Sequence, residues 1–266
     1  MAKPKTFRST KRASNTAVIP TPARAVPLAR IEAMPKMIAT LPPVASSRIR
    51  GKSVTELLGV PPAPTTGRER LVAAAIELFY RRGFVAVGVD QVIDEAGVTK
   101  TTFYKHFEGK DDLMVAAVQR REEWESAAWG RAIRKIAGDD PHMQLLAMFD
   151  VMDIWFNEPD YRGCMFVNAA AEFPNPNDPV HQAAADYKRR AHDNWRNLAI
   201  AGGADKAGAD TFADCYAALL EGAMVLRQTQ GRNDAARAVR PAVEQLIQTF
   251  LGQTGARPVS KLRSAN

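Results

Sequence analysis

The chain has 266 residues, 46% of them hydrophobic, which is enough for one large or two ordinary domains with a sizeable core. Its two cysteines, Cys164 and Cys215, exclude a disulfide framework. No run is apolar enough to span a bilayer, and the basic start lacks the apolar core and cleavage site of a secretory leader, so a cytoplasmic protein without a membrane partner is expected.

The formal charge of +7 is unevenly placed: residues 1–66 hold eleven basic residues against Glu32 and Glu56, a balance of +9, which leaves the remainder at −2. This first segment is rich in Pro, Ala, Ser and Thr and lacks sustained periodicity. It buries too little apolar surface to offset its ordering entropy, so it reads as a basic, disordered arm with a turn of helix at Ser53 to Leu58. Such an arm would add salt-sensitive, sequence-independent affinity for DNA. The alternatives are a solvated tail or a start assigned too early, ahead of Met34 or Met37.

From Arg68 to Arg82, Leu71, Val72, Ala75, Ile76, Leu78 and Phe79 recur at helical spacing, and Gly83 ends the run. A short second helix has Asp90 near its start and an apolar face of Val89, Val92, Ile93 and Ala96. Gly97 supplies the positive φ of a sharp turn, and Thr99 can cap a third helix, Lys100 to Phe107, that buries Phe103 and Phe107 on one face. Helix, tight turn and short polar-faced helix make a helix-turn-helix, whose second helix enters the major groove of DNA. Its outward residues, Lys100, Thr101, Thr102, Tyr104, Lys105 and His106, are suited to phosphates and base edges.

A long helix follows from Lys110 to about Ala137, with Asp111 and Asp112 at the positive end of its dipole. Asp140 and Pro141 open the next helix, apolar on most sides as far as Asn157 and therefore central to a second domain. Gly163 to Phe173 reads as a short helix, Pro179 to about Ala201 as a longer one, and two final helices cover about Ala207 to Thr229 and Asp234 to Leu251. The last shows apolar residues on more than one stripe, and excess apolar surface wants a partner.

Gly88-Val-Asp-Gln-Val-Ile-Asp-Glu-Ala-Gly97, Val98-Thr-Lys-Thr-Thr-Phe-Tyr-Lys-His-Phe107 and Lys110-Asp-Asp-Leu113 resemble the DNA-binding domain of the TetR family of transcriptional regulators. The resemblance is dense over residues 68–113 and looser beyond. It implies that Thr99 to Thr102 and Lys105 read bases or phosphates, and that Tyr104, His106 and Lys110 make or support phosphate contacts. Val87 departs from a frequent hydroxyl residue, and Thr101 from a frequent Gly or Ala. The resemblance further implies that the helix from Lys110 is a lever and that the last two helices pair with a second copy. The expected fold is all-α: an N-terminal three-helix DNA-binding domain (67–113) and a larger effector-binding and dimerisation domain (114–251), followed by a flexible tail (252–266).

The candidate effector pocket lies in the second domain, with Phe149, Met152, Trp155, Phe156, Met165, Phe166, Phe173, Tyr187, Trp195, Tyr216 and Met224 as its lining. Cys164 follows Arg162 closely enough for the guanidinium to favour a thiolate, which makes it a possible redox sensor. The alternative for Cys164 is a small buried hydrophobe. His106, His142, His181 and His192 form no metal signature. No Gly-rich phosphate loop, nucleophile elbow or paired carboxylates support an enzyme, and no cofactor is expected. The sequence thus predicts a homodimeric, sequence-specific regulator that binds double-stranded operator DNA, a repressor released by an unidentified small-molecule effector. The alternatives are a thiol- or electrophile-sensing regulator working through Cys164, or a less specific DNA-binding module.

Overall fold

The computed structural model describes residue 49 and residues 51–251, all within one unit that begins at Leu41. Among the described residues ten helices have defined bounds: α1 (Val54–Leu58), α2 (Gly67–Arg82), α3 (Val89–Ala96), α4 (Lys100–His106), α5 (Lys110–Ala137), α6 (Pro141–Phe156), α7 (Met165–Glu172), α8 (Pro179–Ala201), α9 (Lys206–Gln230) and α10 (Ala235–Leu251). No strand occurs among the described residues. Short polar residues fix most of the starts. Thr66 and Glu69 form a capping box on α2, Thr99 caps α4, and Asp140, Asp178 and Asp205 cap α6, α8 and α9.

The head, α2 to α4, wraps a core of Leu71, Phe79, Phe84, Val87, Phe103 and Phe107. Leu113, Met114 and Ala117 of α5 belong to the same cluster, so the first turns of the long helix are embedded in the head. Each such aromatic contributes about 1.5–3 kcal/mol through burial. In the body, α6 touches α5, α8 and α10, while α9 packs against α8 and α10. Tyr216 is fully buried, and its hydroxyl donates to the Leu145 carbonyl at 2.7 Å, so the ring costs no unsatisfied polar group.

The turn of helix expected at Ser53 to Leu58 is present as α1, and it is docked on the body. Ser53 caps α1, and Leu57 and Leu58 pack with Ile49 onto Ala128, Ala132 and Ile133 of α5 and Ala147 and Val151 of α6. The Val54 N–H donates to the Glu158 carboxylate at 2.6 Å. One turn of amphipathic helix carries too few apolar residues to show in composition, yet it suffices where the body offers a matching face. Residues 1–48 and 50 of the arm and the tail from residue 252 lie outside the described residues.

Candidate nucleic-acid interface and interior cavity

Gly97 turns the chain between α3 and α4 in the left-handed region, at φ 59°, and its N–H closes the end of α3 on Asp94 and Ile93. Thr99 Oγ1 accepts the Thr102 N–H at 3.2 Å, which starts α4. Phe103 and Phe107, with ring centroids 5.8 Å apart, anchor the inner face. The outer face carries exposed Lys100, Thr101, Tyr104 and Lys105, with Thr102 and His106 half-buried at its flanks.

These residues are not equally free. Lys100 pairs with Asp90 at 3.1 Å, and the hydrogen bond with that carboxylate raises its pKa. The Thr102 hydroxyl lies 2.9 Å from that of Thr99, and its methyl is so close to Gly67 that a Cβ there would stand 2.9 Å away. Lys110 Nζ donates to the Val85 carbonyl at 3.0 Å, which ties α5 to the α2–α3 turn. The side chains of Thr101, Tyr104, Lys105 and His106 make no hydrogen bond among the described residues. Val87, where the resembling family often has a hydroxyl, is buried in the head core.

Two further contacts join head and body. Glu172, the last residue of α7, accepts the Phe84 N–H at 3.0 Å and the Val85 N–H at 2.8 Å, one on each carboxylate oxygen. Beside it Phe173 meets Phe84 edge to face at 6.2 Å. On the other flank, the Tyr80 hydroxyl of α2 accepts the Arg162 N–H at 3.0 Å, and the Arg121 guanidinium of α5 lies 5.7 Å from the Tyr80 ring centroid.

A cavity of about 470 Å³ opens among α5, α6, α8 and α9. Met152, Trp155, Tyr187, Trp195, Tyr216 and Met224 line it. The other expected lining residues do not. Phe149, Phe156, Met165 and Phe166 are consumed by core packing, and Phe173 is turned toward the head. Phe166 lies behind the lining, stacked on Tyr187 at 3.6 Å. The cavity also contains Glu221, which the sequence offers as a polar pocket candidate, and Glu125, Trp129, Cys164 and Lys188, which it does not single out. Glu125 had a signal: a lone carboxylate in the otherwise uncharged stretch Trp124 to Trp129, on a helix read only as a lever. The Lys188–Glu221 pair, closed at 2.6 Å, had none, because its partners are far apart in sequence.

Cys164 is buried against this cavity. Burial pushes its thiol up, and the Lys188 ammonium opposes that only in part. Arg162, its neighbour in sequence, donates instead to the Tyr161 carbonyl at 2.9 Å. The argument for a thiolate from Arg162 therefore fails, because closeness in sequence places the guanidinium elsewhere in space.

A second cleft, of about 770 Å³, lies between α1, residues 59–65, α2 and α5. Glu125, Trp129 and Trp155 line both spaces, whereas Arg121 lines the second cleft alone. Arg121 Nε donates to Glu125 at 2.5 Å, so this ion pair forms part of the wall between them. Among the described residues there is no cluster of His, Cys, Asp or Glu able to hold a metal, and no helix long and apolar enough to cross a membrane.

Two family profiles match the sequence. One, described as bacterial regulatory proteins of the tetR family, covers residues 71–117. The other, a tetracyclin repressor-like C-terminal domain, covers residues 141–243. The transcriptional activator FasR of Mycolicibacterium smegmatis is 45% identical over 53 residues, 20% of this chain and only 24% of that protein's length. The transcriptional regulator LmrA of Bacillus subtilis is 25% identical over 170 residues, 61% of this chain and 86% of its own. A solved TetR-family regulator from Streptomyces coelicolor superposes with a TM-score of 0.63 at 28% identity, covering 70% of this chain and 96% of its own.

Proposed function

The chain belongs to the tetR family of bacterial regulatory proteins and is a DNA-binding transcriptional regulator, and from that premise we propose that it works as a homodimeric repressor released by a small molecule. The observation that carries the DNA-reading part is the outer face of α4. Among the described residues the side chains of Thr101, Tyr104, Lys105 and His106 make no hydrogen bond, on a helix held from beneath by Phe103 and Phe107. Reading by this face puts hydroxyl, phenol, ammonium and imidazole groups against phosphates and base edges.

Doubling supports the reading. On α9, Ala218, Gly222 and Val225 are exposed at helical spacing, and Val225 is 50% exposed. A second copy set on a two-fold axis covers that surface and presents two α4 helices about one DNA turn apart, roughly 34–36 Å, or a multiple of it. The interior cavity is the effector site in this reading. A ligand that prefers one spacing of the heads changes operator affinity, and by linkage the operator changes ligand affinity equally. The contacts of Glu172, Lys110 and Arg121 with the head are where that change is transmitted. No catalytic step is part of the proposal. Thiol sensing draws no support from the geometry, since Cys164 is buried and its pKa is raised.

Selection of binding sites from random duplexes, followed by a screen for molecules that release the selected site, tests the whole reading. A near-palindromic site with a sharp footprint is expected. Uniform, strongly salt-dependent coverage of any duplex supports a non-specific DNA-binding module instead.

A further inference from the structure

The cavity among α5, α6, α8 and α9 brings two carboxylates and three indole rings together. Glu125 is the buried charged residue among the described residues, 7% exposed. It lines both spaces, while its ion-pair partner Arg121 lines only the second cleft. Glu125 is therefore shared by the two spaces, and Arg121 belongs to one of them. The cavity's second carboxylate, Glu221, is already matched by Lys188 at 2.6 Å. The remaining cation on the lining, Arg134, is exposed to solvent, where hydration and salt screen it. Trp129, Trp155 and Trp195 add three indole rings, the first two edge to face at 6.1 Å. Aromatic faces attract cations through the ring quadrupole, and a buried carboxylate is costly to leave facing an uncharged surface.

We propose that the cavity binds a monovalent organic cation with an apolar or aromatic body, its charge directed at Glu125 and its body laid against the indole rings. This deepens the effector reading above and rests on it. The volume of about 470 Å³ falls within the range of roughly 300–1,000 Å³ that takes drug-sized ligands. An uncharged molecule of the same shape leaves Glu125 paired with Arg121 and gains nothing from the carboxylate, and an anion is repelled. A cation that draws Glu125 inward also weakens its hold on Arg121, whose guanidinium lies against Tyr80 of the head. Occupancy and head position are thus read by one ion pair.

Calorimetric titration of the full-length protein with phenylbutyl-trimethylammonium, phenylbutanol and phenylbutyrate tests this without DNA. The cation is expected to bind about tenfold tighter than the alcohol or more, and the carboxylate weakest. Glu125→Gln should abolish the preference for the cation while leaving the alcohol's affinity within about twofold. Retained alcohol binding shows that the variant cavity persists, and the wild-type ranking needs no variant at all. Equal or tighter binding of the alcohol or the carboxylate, no heat with the cation, or an undiminished preference in Glu125→Gln overturns the proposal. Adding the same cation to a protein–operator complex separates the two readings: binding without release keeps the ligand assignment and removes ligand-driven release.

Discussion

Glu172 holds Val85 across the boundary between body and head, its Oε2 accepting the Val85 N–H at 2.8 Å. The same peptide segment is held from the other side, where Lys110 Nζ meets the Val85 carbonyl at 3.0 Å. Gly83, at φ 85°, leaves the room required, since a Cβ there would stand 3.0 Å from Glu172 Oε1. An exposed turn is thereby fixed by one carboxylate and one ammonium drawn from different parts of the fold.

Replacing Glu172 by Ala should free this turn. Two N–H groups lose a charged acceptor, a loss of about 1.5–3 kcal/mol for a well-buried bond and towards the lower end here, where the site is partly solvated. Amide exchange at Phe84 and Val85 should accelerate about tenfold, with Glu172→Gln intermediate because it keeps one acceptor oxygen. Exchange rates unchanged in Glu172→Ala would show that the turn is held by other contacts.

On the reading face, Lys105→Ala should weaken binding to all duplexes and reduce the slope of log affinity against log salt by about 1. Thr101→Ala should instead alter which duplexes are chosen, with the slope unchanged. Titrations over a series of salt concentrations, with selected and scrambled duplexes, distinguish the two behaviours. Lys110→Ala should also weaken binding without changing sequence preference, by releasing Val85.

Val225→Arg places a charge on the exposed apolar surface of α9. If that surface meets a second copy, the variant should sediment as a monomer at concentrations where the parent is a dimer, and its operator affinity should fall because one head remains. A dimeric variant would place the interface elsewhere.

Glu69 makes the start of α2 sensitive to acid. Its carboxylate accepts the Thr65 hydroxyl and N–H, both at 2.7 Å, and the Thr66 N–H at 2.9 Å. These bonds, that of the Thr65 hydroxyl foremost, hold its pKa at about 2 against an ordinary 4.5. Because the folded value is the lower, the stabilisation is present above pH 4.5 and is lost as pH falls from 4.5 toward 2. Glu69→Gln should flatten this part of the stability profile, as measured by denaturant unfolding at successive pH values.

The helices were legible because their signals are local. Gly97, Thr99 and the Phe103–Phe107 pair lie within a dozen residues and each decides something by itself. The cavity was legible only in part, because periodicity shows that Phe149 or Phe166 is inside but not whether a neighbour fills the space beside it. Glu172 and Val85 are separated by 87 positions, and nothing near either residue announces the other. Lys110 was legible as a cation near the reading face, yet its bond to Val85 follows only from the path of the α2–α3 turn. The helix of residues 54–58 was visible as a fragment, but its docking depended on the apolar face of α5 and α6.

That docking changes what motion is open to the molecule. The chain leaves the body at α1 to enter the head and returns to the body through α5, so the three-helix unit is tethered at both ends. A module hung from a single hinge can swing through a wide arc, whereas one fastened at two points can chiefly roll about the line that joins them. Two attachments narrow the path between recognition geometries, and Leu57 and Leu58 anchor one of them.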